Sequence, residues 1–255
     1  MAAARVEVHD DAHAAARAGA EAFAAEARAA VEARGRFSVA LSGGTAPREM
    51  YSLLAADARI PWEGVHLFWG DERCVPPLHP RSNYAMALDA FIRHVPIPEA
   101  NVHRMRGELP AAEGAARYRE ELAAFFGPGV PRFDVIHLGL GPDAHTCSLF
   151  PFDPLLRERT LTVAPALMRE LGEPRVTFTV PVVNAAARVE MFVVGAGKAE
   201  VVRKVLEGPR DPFRLPAQLV APTDGEYVWI MDRAAAEELG STESLIRASR
   251  PTTSS

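Results

Sequence analysis

Only two cysteines occur in the 255-residue chain, Cys74 and Cys147. Two thiols exclude a disulfide framework and a Cys-rich zinc site. Long apolar runs are missing too. No stretch reaches the ~18 consecutive apolar residues of a membrane span. Arg5, Glu7, His9, Asp10 and Asp11 interrupt the alanine-rich beginning, so no signal-peptide core forms there. A basic excess is also absent: 28 Lys and Arg face 33 Asp and Glu, a net charge of −5. That is the wrong sign for the footprint of a nucleic-acid binder. None of the eight histidines starts an H-E-x-x-H run, so no catalytic metal is expected. These absences leave a cytoplasmic protein with no membrane and no nucleic-acid partner. A monomer or weak dimer is the expectation, though nothing in the composition fixes it.

What is present is a regular alternation. Strand signals at Arg5–His9, Phe37–Leu41, Val65–Trp69, Phe133–Leu138, Arg175–Val180, Val189–Val194 and Tyr227–Met231 are interleaved with helical patterns. The helices are expected at Asp10–Arg34, Pro47–Ala58, Ser82–His94, Glu113–Phe126 and Lys198–Glu207. Asp10 or Asp11 is placed to cap the first helix, and Gly35 to stop it. Val135–Leu138 and Met191–Val194 are nearly continuous apolar runs, as in strands covered on both faces. The fold class is therefore α/β, a mostly parallel sheet between helices. No linker divides the chain, so residues 1–245 are expected to form one domain and 246–255 a flexible tail.

In open α/β sheets ligands sit beyond the carboxyl ends of the strands. Leu41-Ser-Gly-Gly-Thr-Ala-Pro47 runs a strand into two glycines and a helix start. N–H groups exposed by Gly43 and Gly44, the hydroxyls of Ser42 and Thr45 and the helix N-terminus make a phosphate cradle. Ser42 also resembles the nucleophile of an esterase elbow, but no histidine falls late enough in the chain to serve it. Trp69-Gly-Asp-Glu-Arg73 offers a carboxylate pair, Asp71 and Glu72, and an Arg suited to an anion or a developing oxyanion.

Gly139-Leu-Gly-Pro-Asp-Ala-His145 carries Asp143 and His145 just after a buried strand. Histidine titrates near neutrality and suits general-base work. Gly139-x-Gly141 also matches a dinucleotide fingerprint, but Pro151 and Pro154 leave no room for the helix it needs. Val194-Gly-Ala-Gly-Lys198 and Arg175 supply two more candidate cations. His137, within a strand, and Trp62, Trp69 and Trp229 read as packing residues.

In this order, the motifs resemble the 6-phosphogluconolactonase family of the glucosamine/galactosamine-6-phosphate isomerase superfamily. The resemblance rests on Leu41–Thr45, Trp69–Arg73 with Ser82-Asn-Tyr84, Gly139–Pro151, Arg175-Val-Thr177, Pro181–Ala186 and Gly195–Ala199. Thr146-Cys-Ser-Leu-Phe-Pro151 is the lactonase-like version of a run that differs in the related deaminases. Ala144 stands where the family usually has Gly, and Cys147 where Ala is usual.

The resemblance implies a Rossmann-like three-layer sandwich of the deaminase/ribose-5-phosphate isomerase kind. It implies hydrolysis of 6-phospho-D-glucono-1,5-lactone to 6-phospho-D-gluconate, the second step of the oxidative pentose phosphate pathway, with no cofactor. The partner is then a small phosphorylated sugar lactone. His145 is expected as the base, Arg73 as oxyanion or ring partner, and Asp71 or Asp143 as the support for His145. Ser42, Gly43, Gly44, Thr45, Arg175 and Lys198 are expected to hold the phosphate. A sugar-phosphate deaminase or isomerase on the same fold, or a non-catalytic sugar-phosphate sensor, is the alternative.

Overall fold

The computed structural model describes residues 4–168 and 172–240. The expected tail, 246–255, lies outside them. Six strands form one parallel sheet: β1 (Arg5–His9), β2 (Phe37–Leu41), β3 (Val65–Trp69), β5 (Val135–Gly139), β8 (Arg188–Val193) and β9 (Glu226–Asp232). Their order across the sheet is β1-β9-β8-β5-β2-β3. Every residue of β2 is buried, and so are the apolar residues of β5, β8 and β9, which is why these segments read as unbroken apolar runs.

Helices α1 (Ala12–Arg34), α2 (Thr45–Leu54), α3 (Asn83–Ala90), α4 (Ala111–Phe126), α5 (Val180–Ala185) and α6 (Ala199–Leu206) connect the strands. Asp11 caps α1 by accepting from the N–H of Ala14 at 2.7 Å. The helix buries Ala15, Ala16, Gly19, Ala20, Phe23, Ala24, Ala27 and Ala30. That stripe recurs every three or four residues and is small, so α1 approaches the sheet and α2 closely. Phe23 fills the remaining space edge-on to Phe37, with ring centroids 5.4 Å apart. Burying one such side chain stabilises the fold by about 2–3 kcal/mol.

Besides α5, a helix where none is expected and where Val180 is expected to close a strand, two features depart from the sequence reading. The first is a second sheet of three antiparallel strands, β4 (Asp71–Arg73), β7 (Glu173–Phe178) and β6 (Val163–Met168), in the order β4-β7-β6. The sequence places no strand at Asp71–Arg73, since three charged residues rarely make one by themselves. Nor does it signal β6, because Pro165 interrupts that strand. Pro165 is exposed on an edge strand, where a missing N–H costs no ladder bond. The second departure is length. The helix expected over 82–94 is α3, capped by the Ser82 hydroxyl, followed by a short 3₁₀ turn at Ile92–His94. The helix expected over 47–58 runs from Thr45 to Leu54.

The two sheets join at Gly70. Its N–H donates to Leu41 O at the end of β2 (3.0 Å), and its carbonyl accepts from Phe178 N at the end of β7 (2.8 Å). From β2 the chain winds outward to β3, whereas from β5 it winds the other way to β8 and β9. The carboxyl ends of β2 and β5 therefore flank a topological switch point, and the small sheet stands against it.

Candidate active site

A cavity of about 180 Å³ opens at this switch point. Its wall takes Ser42, Gly43 and Gly44 from the β2–α2 loop, and Gly139, Leu140, Gly141 and His145 from the loop after β5. The small sheet contributes Asp71, Arg73 and Arg175, and α3 contributes Asn83.

His145 is held by Asp143. Nδ1 of the ring lies 2.5 Å from Asp143 Oδ1, which also accepts from the His145 backbone N–H at 3.2 Å. Burial alone would raise the pKa of Asp143, but the bond from His145 outweighs it and holds the carboxyl below its usual range. An ionised Asp143 accepts the Nδ1 hydrogen, so the lone pair of the neutral ring resides on Nε2, which has no partner among the described residues. Gly141 makes the close approach possible. A Cβ there would collide with Nδ1 of His145 and with Asp143 Oδ1. The same tight loop puts Ala144 at φ 66° and Cys147 at φ 49°, conformations that glycine adopts at lower cost.

Asp71, the other candidate support, is engaged elsewhere. Its Oδ2 accepts from Ser148 Oγ at 2.6 Å and its Oδ1 from Asn83 Nδ2 at 3.2 Å, with Arg175 Nη1 3.6 Å away. Arg175 is 7% exposed and donates from Nη2 to Glu173 at 2.6 Å. Arg81 pairs with the same Glu173. Arg73 donates from Nη1 to the Arg81 carbonyl at 2.8 Å and to Asn83 Oδ1 at 2.5 Å. The Nε–H groups of both Arg73 and Arg175 are buried without a partner among the described residues. Unpaired buried donors are uncommon and call for a reason.

The carboxylate pair expected at Asp71 and Glu72 does not form. Neighbouring residues of a strand point to opposite faces, and Glu72 turns away from the cavity. It accepts from Ser82 Oγ and from the N–H groups of Arg73, Asn83 and Tyr84, at 2.7–2.9 Å. Two of those N–H groups open α3, so Glu72 anchors that helix. Burial pushes its pKa up, while the four donors pull it back. Asn83 is thereby fixed across from Gly43, where any Cβ would collide with its carboxamide.

Ser42, Gly43 and Gly44 line the cavity as the cradle requires, whereas Thr45 is exposed at the first residue of α2 and outside the wall. Ser42 Oγ bonds only weakly, to Gly43 O at 3.3 Å, and no base is attached to it. Lys198 also stays off the wall. Its ammonium donates to Leu140 O at 2.6 Å, and burial lowers its pKa against the raising effect of Asp143. No helix follows Gly139-x-Gly141; the chain turns back through a bridge between Thr146 and Leu149. His137 is buried in β5, and Trp62, Trp69 and Trp229 are core residues.

Asp143 lines a neighbouring, mostly apolar groove of about 660 Å³ with Phe150, Leu167 and Met168. That groove is larger and also carries Asp153, Asp211, Arg214 and Lys204, but no histidine lines it. Among the described residues, no group of three or more His, Cys, Asp or Glu side chains is arranged to hold a metal. Nor is any described helix long and apolar enough to cross a membrane. Sequence reasoning missed Asn83, Ser148 and Glu173. Their role is to bind other site residues, and only the register of β4 on β7 brings them near. Arg73 faces Arg175 in that register, and Asp71 faces Thr177.

Residues 10–229 match the family model described as glucosamine-6-phosphate isomerases/6-phosphogluconolactonase. A 6-phosphogluconolactonase of Synechocystis is 43% identical over 216 residues, covering 82% of this chain and 88% of its own. The Homo sapiens 6-phosphogluconolactonase is 42% identical over 213 residues, covering 81% and 82%. The solved 6-phosphogluconolactonase of Trypanosoma brucei superimposes with a TM-score of 0.82 at 27% identity, over 93% of this chain and 99% of that one.

Proposed function

Because the chain belongs to the family of glucosamine-6-phosphate isomerases and 6-phosphogluconolactonases, we propose that its cavity hydrolyses 6-phospho-D-glucono-1,5-lactone to 6-phospho-D-gluconate. This is the second step of the oxidative pentose phosphate pathway. The observation that carries the mechanism is the His145–Asp143 pair, which frees Nε2 in the same cavity as two arginines with unpaired N–H groups.

A lactone carbonyl is already electrophilic, and its leaving oxygen stays tethered in the product. The enzyme has to place the ring, activate one water and stabilise one oxyanion. His145 Nε2 takes a proton from the water as the oxygen bonds to the lactone carbonyl carbon. The carbonyl oxygen becomes an alkoxide, stabilised by the Arg73 guanidinium. The alkoxide then re-forms the carbonyl, the ring C–O bond breaks, and His145 returns its proton to the departing oxygen. One water is consumed, and the acid product ionises in solution. Asp143 stays ionised throughout, fixing the tautomer and stabilising the imidazolium that forms between the two steps.

Asp71 holds Asn83, Ser148 and Arg175 and leaves the support of His145 to Asp143. The phosphate is held by the Ser42 hydroxyl and the N–H groups of Gly43, Gly44 and Thr45 at the start of α2. Arg175 supplies charge from the wall, and Lys198 from its seat on the Leu140 carbonyl. Two unpaired cysteines support a cytoplasmic setting.

The test is hydrolysis of the lactone generated in situ, with spontaneous hydrolysis subtracted. Wild type is expected to accelerate it, and His145→Ala to lose most of the acceleration. A wild-type rate equal to the spontaneous one, with ammonia released from glucosamine 6-phosphate instead, would overturn this reading.

A further inference from the structure

A buried polar chain lies beneath the phosphate loop, in a place where the proposed mechanism uses no group. Glu190 on β8 and His137 on β5 are register partners, so their side chains share one face of the sheet. They are 2% and 1% exposed. Glu190 Oε2 lies 3.4 Å from His137 Nε2. His137 Nδ1 lies 3.2 Å from the hydroxyl of Tyr51 on α2, with the two rings stacked. The Tyr51 hydroxyl, also fully buried, accepts the backbone N–H of Ser42 at 2.9 Å. At the far end Arg188 donates to Glu190 at 2.7 Å.

Three buried polar side chains in a core are costly unless every hydrogen is matched. Here one assignment matches every hydrogen bond from His137 Nδ1 to Ser42, while His137 Nε2 has only a long contact with Glu190 among the described residues. Glu190, kept ionised by His137 and Arg188 against the effect of burial, faces the Nε2 hydrogen of a neutral His137 across 3.4 Å, an electrostatic contact too long for a good hydrogen bond. His137 Nδ1 then accepts the Tyr51 hydrogen, and the Tyr51 oxygen accepts from Ser42 N–H. A protonated His137 would point both of its hydrogens outward and leave the Tyr51 hydrogen without an acceptor among the described residues. The order also fixes Ser42: its N–H is consumed by Tyr51, so only its hydroxyl and the following N–H groups remain for a ligand.

We propose that Tyr51 is a positioning residue for the phosphate loop, oriented by His137 and Glu190 and acting through the Ser42 amide. The proposal rests on the reading that this loop holds the substrate phosphate. Tyr51 touches no substrate. Its hydroxyl pins the loop's first residue to the sheet, so the loop pays less ordering entropy when the anion arrives.

The test compares wild type with Tyr51→Phe in the full chain, since the substitution removes one oxygen and keeps the ring. Three readouts are needed: hydrogen exchange of the Ser42 amide, KM and kcat for the phosphorylated lactone, and kcat/KM for unphosphorylated glucono-1,5-lactone. Loss of one neutral hydrogen bond predicts faster Ser42 exchange and a KM about 3- to 10-fold higher for the phosphorylated substrate. kcat should change less than KM, and the unphosphorylated substrate should be affected little. Ring ¹⁵N signals of His137 in wild type should show the Nε2–H tautomer, a readout that needs no variant. Unchanged Ser42 exchange, equal effects on both lactones, or the Nδ1–H tautomer would each overturn the proposal. A wild type that does not prefer the phosphorylated lactone would instead sink the phosphate reading of the loop, and the proposal with it.

Discussion

Asp143 Oδ1 and His145 Nδ1 lie 2.5 Å apart, on one loop and two residues from each other. The same carboxylate oxygen takes the His145 backbone N–H. The ring is therefore fixed by its own loop, with no need for a partner from another element. Asp71, which the sequence offers equally, is committed to Ser148, Asn83 and Arg175.

Removing the base should be costly. His145→Ala is expected to lower kcat by about 10²–10⁴-fold. Asp143→Asn keeps the shape of the site but favours the wrong ring hydrogen, and should lower kcat by at least ~10-fold. Asp71→Asn should alter KM more than kcat. Single-turnover hydrolysis of the lactone separates the three; a normal rate in Asp143→Asn would remove Asp143 from its role.

A methyl group at residue 141 should uncouple the pair. Gly141→Ala has no room beside Nδ1 and Asp143 Oδ1. A displacement of about 1 Å at a reacting group costs roughly 100-fold in rate. The expected result is a large fall in kcat with a folded protein, checked by steady-state kinetics beside a urea melt.

Lys198 and Arg175 should behave differently although both are candidate phosphate ligands. Lys198→Met removes one half-buried charge and should raise KM about 10-fold or more, at nearly constant kcat. A fall in kcat at constant KM would count against Lys198 as a phosphate ligand. Arg175→Met leaves Asp71 and Glu173 buried beside an apolar side chain. It should cost about 3 kcal/mol of stability, visible in denaturant unfolding.

Acid stability should depend on a pair far from the cavity. His66 Nδ1 lies 3.2 Å from His103 Nε2, and His103 Nδ1 lies 2.9 Å from Glu121. Burial, then His103 and Arg36, lower the pKa of His66 from 6.5 to about 4. Between those two values the unfolded chain binds the proton and the folded chain does not, so stability falls as pH drops through the window. His66→Gln should flatten that slope in urea melts taken from pH 7.5 to 4, and an unchanged slope would clear His66.

The main sheet was largely legible because its signals are local. Arg5–His9, Phe37–Leu41 and Val65–Trp69 are bounded correctly, since apolar or β-branched runs end there at charge or glycine. The chemical residues were legible for the same reason, as they follow buried strands. The second sheet was not. β4 is three charged residues whose pairing with β7 joins positions about 100 residues apart, and β6, although its hairpin with β7 is local, contains a proline that breaks the strand signal. The roles of Glu72 and Lys198 were hidden as well. A carboxylate's direction is set by strand alternation and by the helix it caps, and an ammonium's seat by one distant carbonyl.

Gly70 is the rivet between two plates. One plate carries the proton-transfer loop, and the other carries Asp71, Arg73 and Arg175, while a single residue bonds to the end of a strand in each. The distance between base and guanidinium is therefore set by a span of fixed length, from Trp69 to Asp71. Lengthening or shortening that span by one residue would shift the plates out of step and flip Asp71 and Glu72 to opposite faces. Loops at the amino ends of the main strands carry no such constraint, so an inserted residue there leaves the spacing of base and guanidinium untouched.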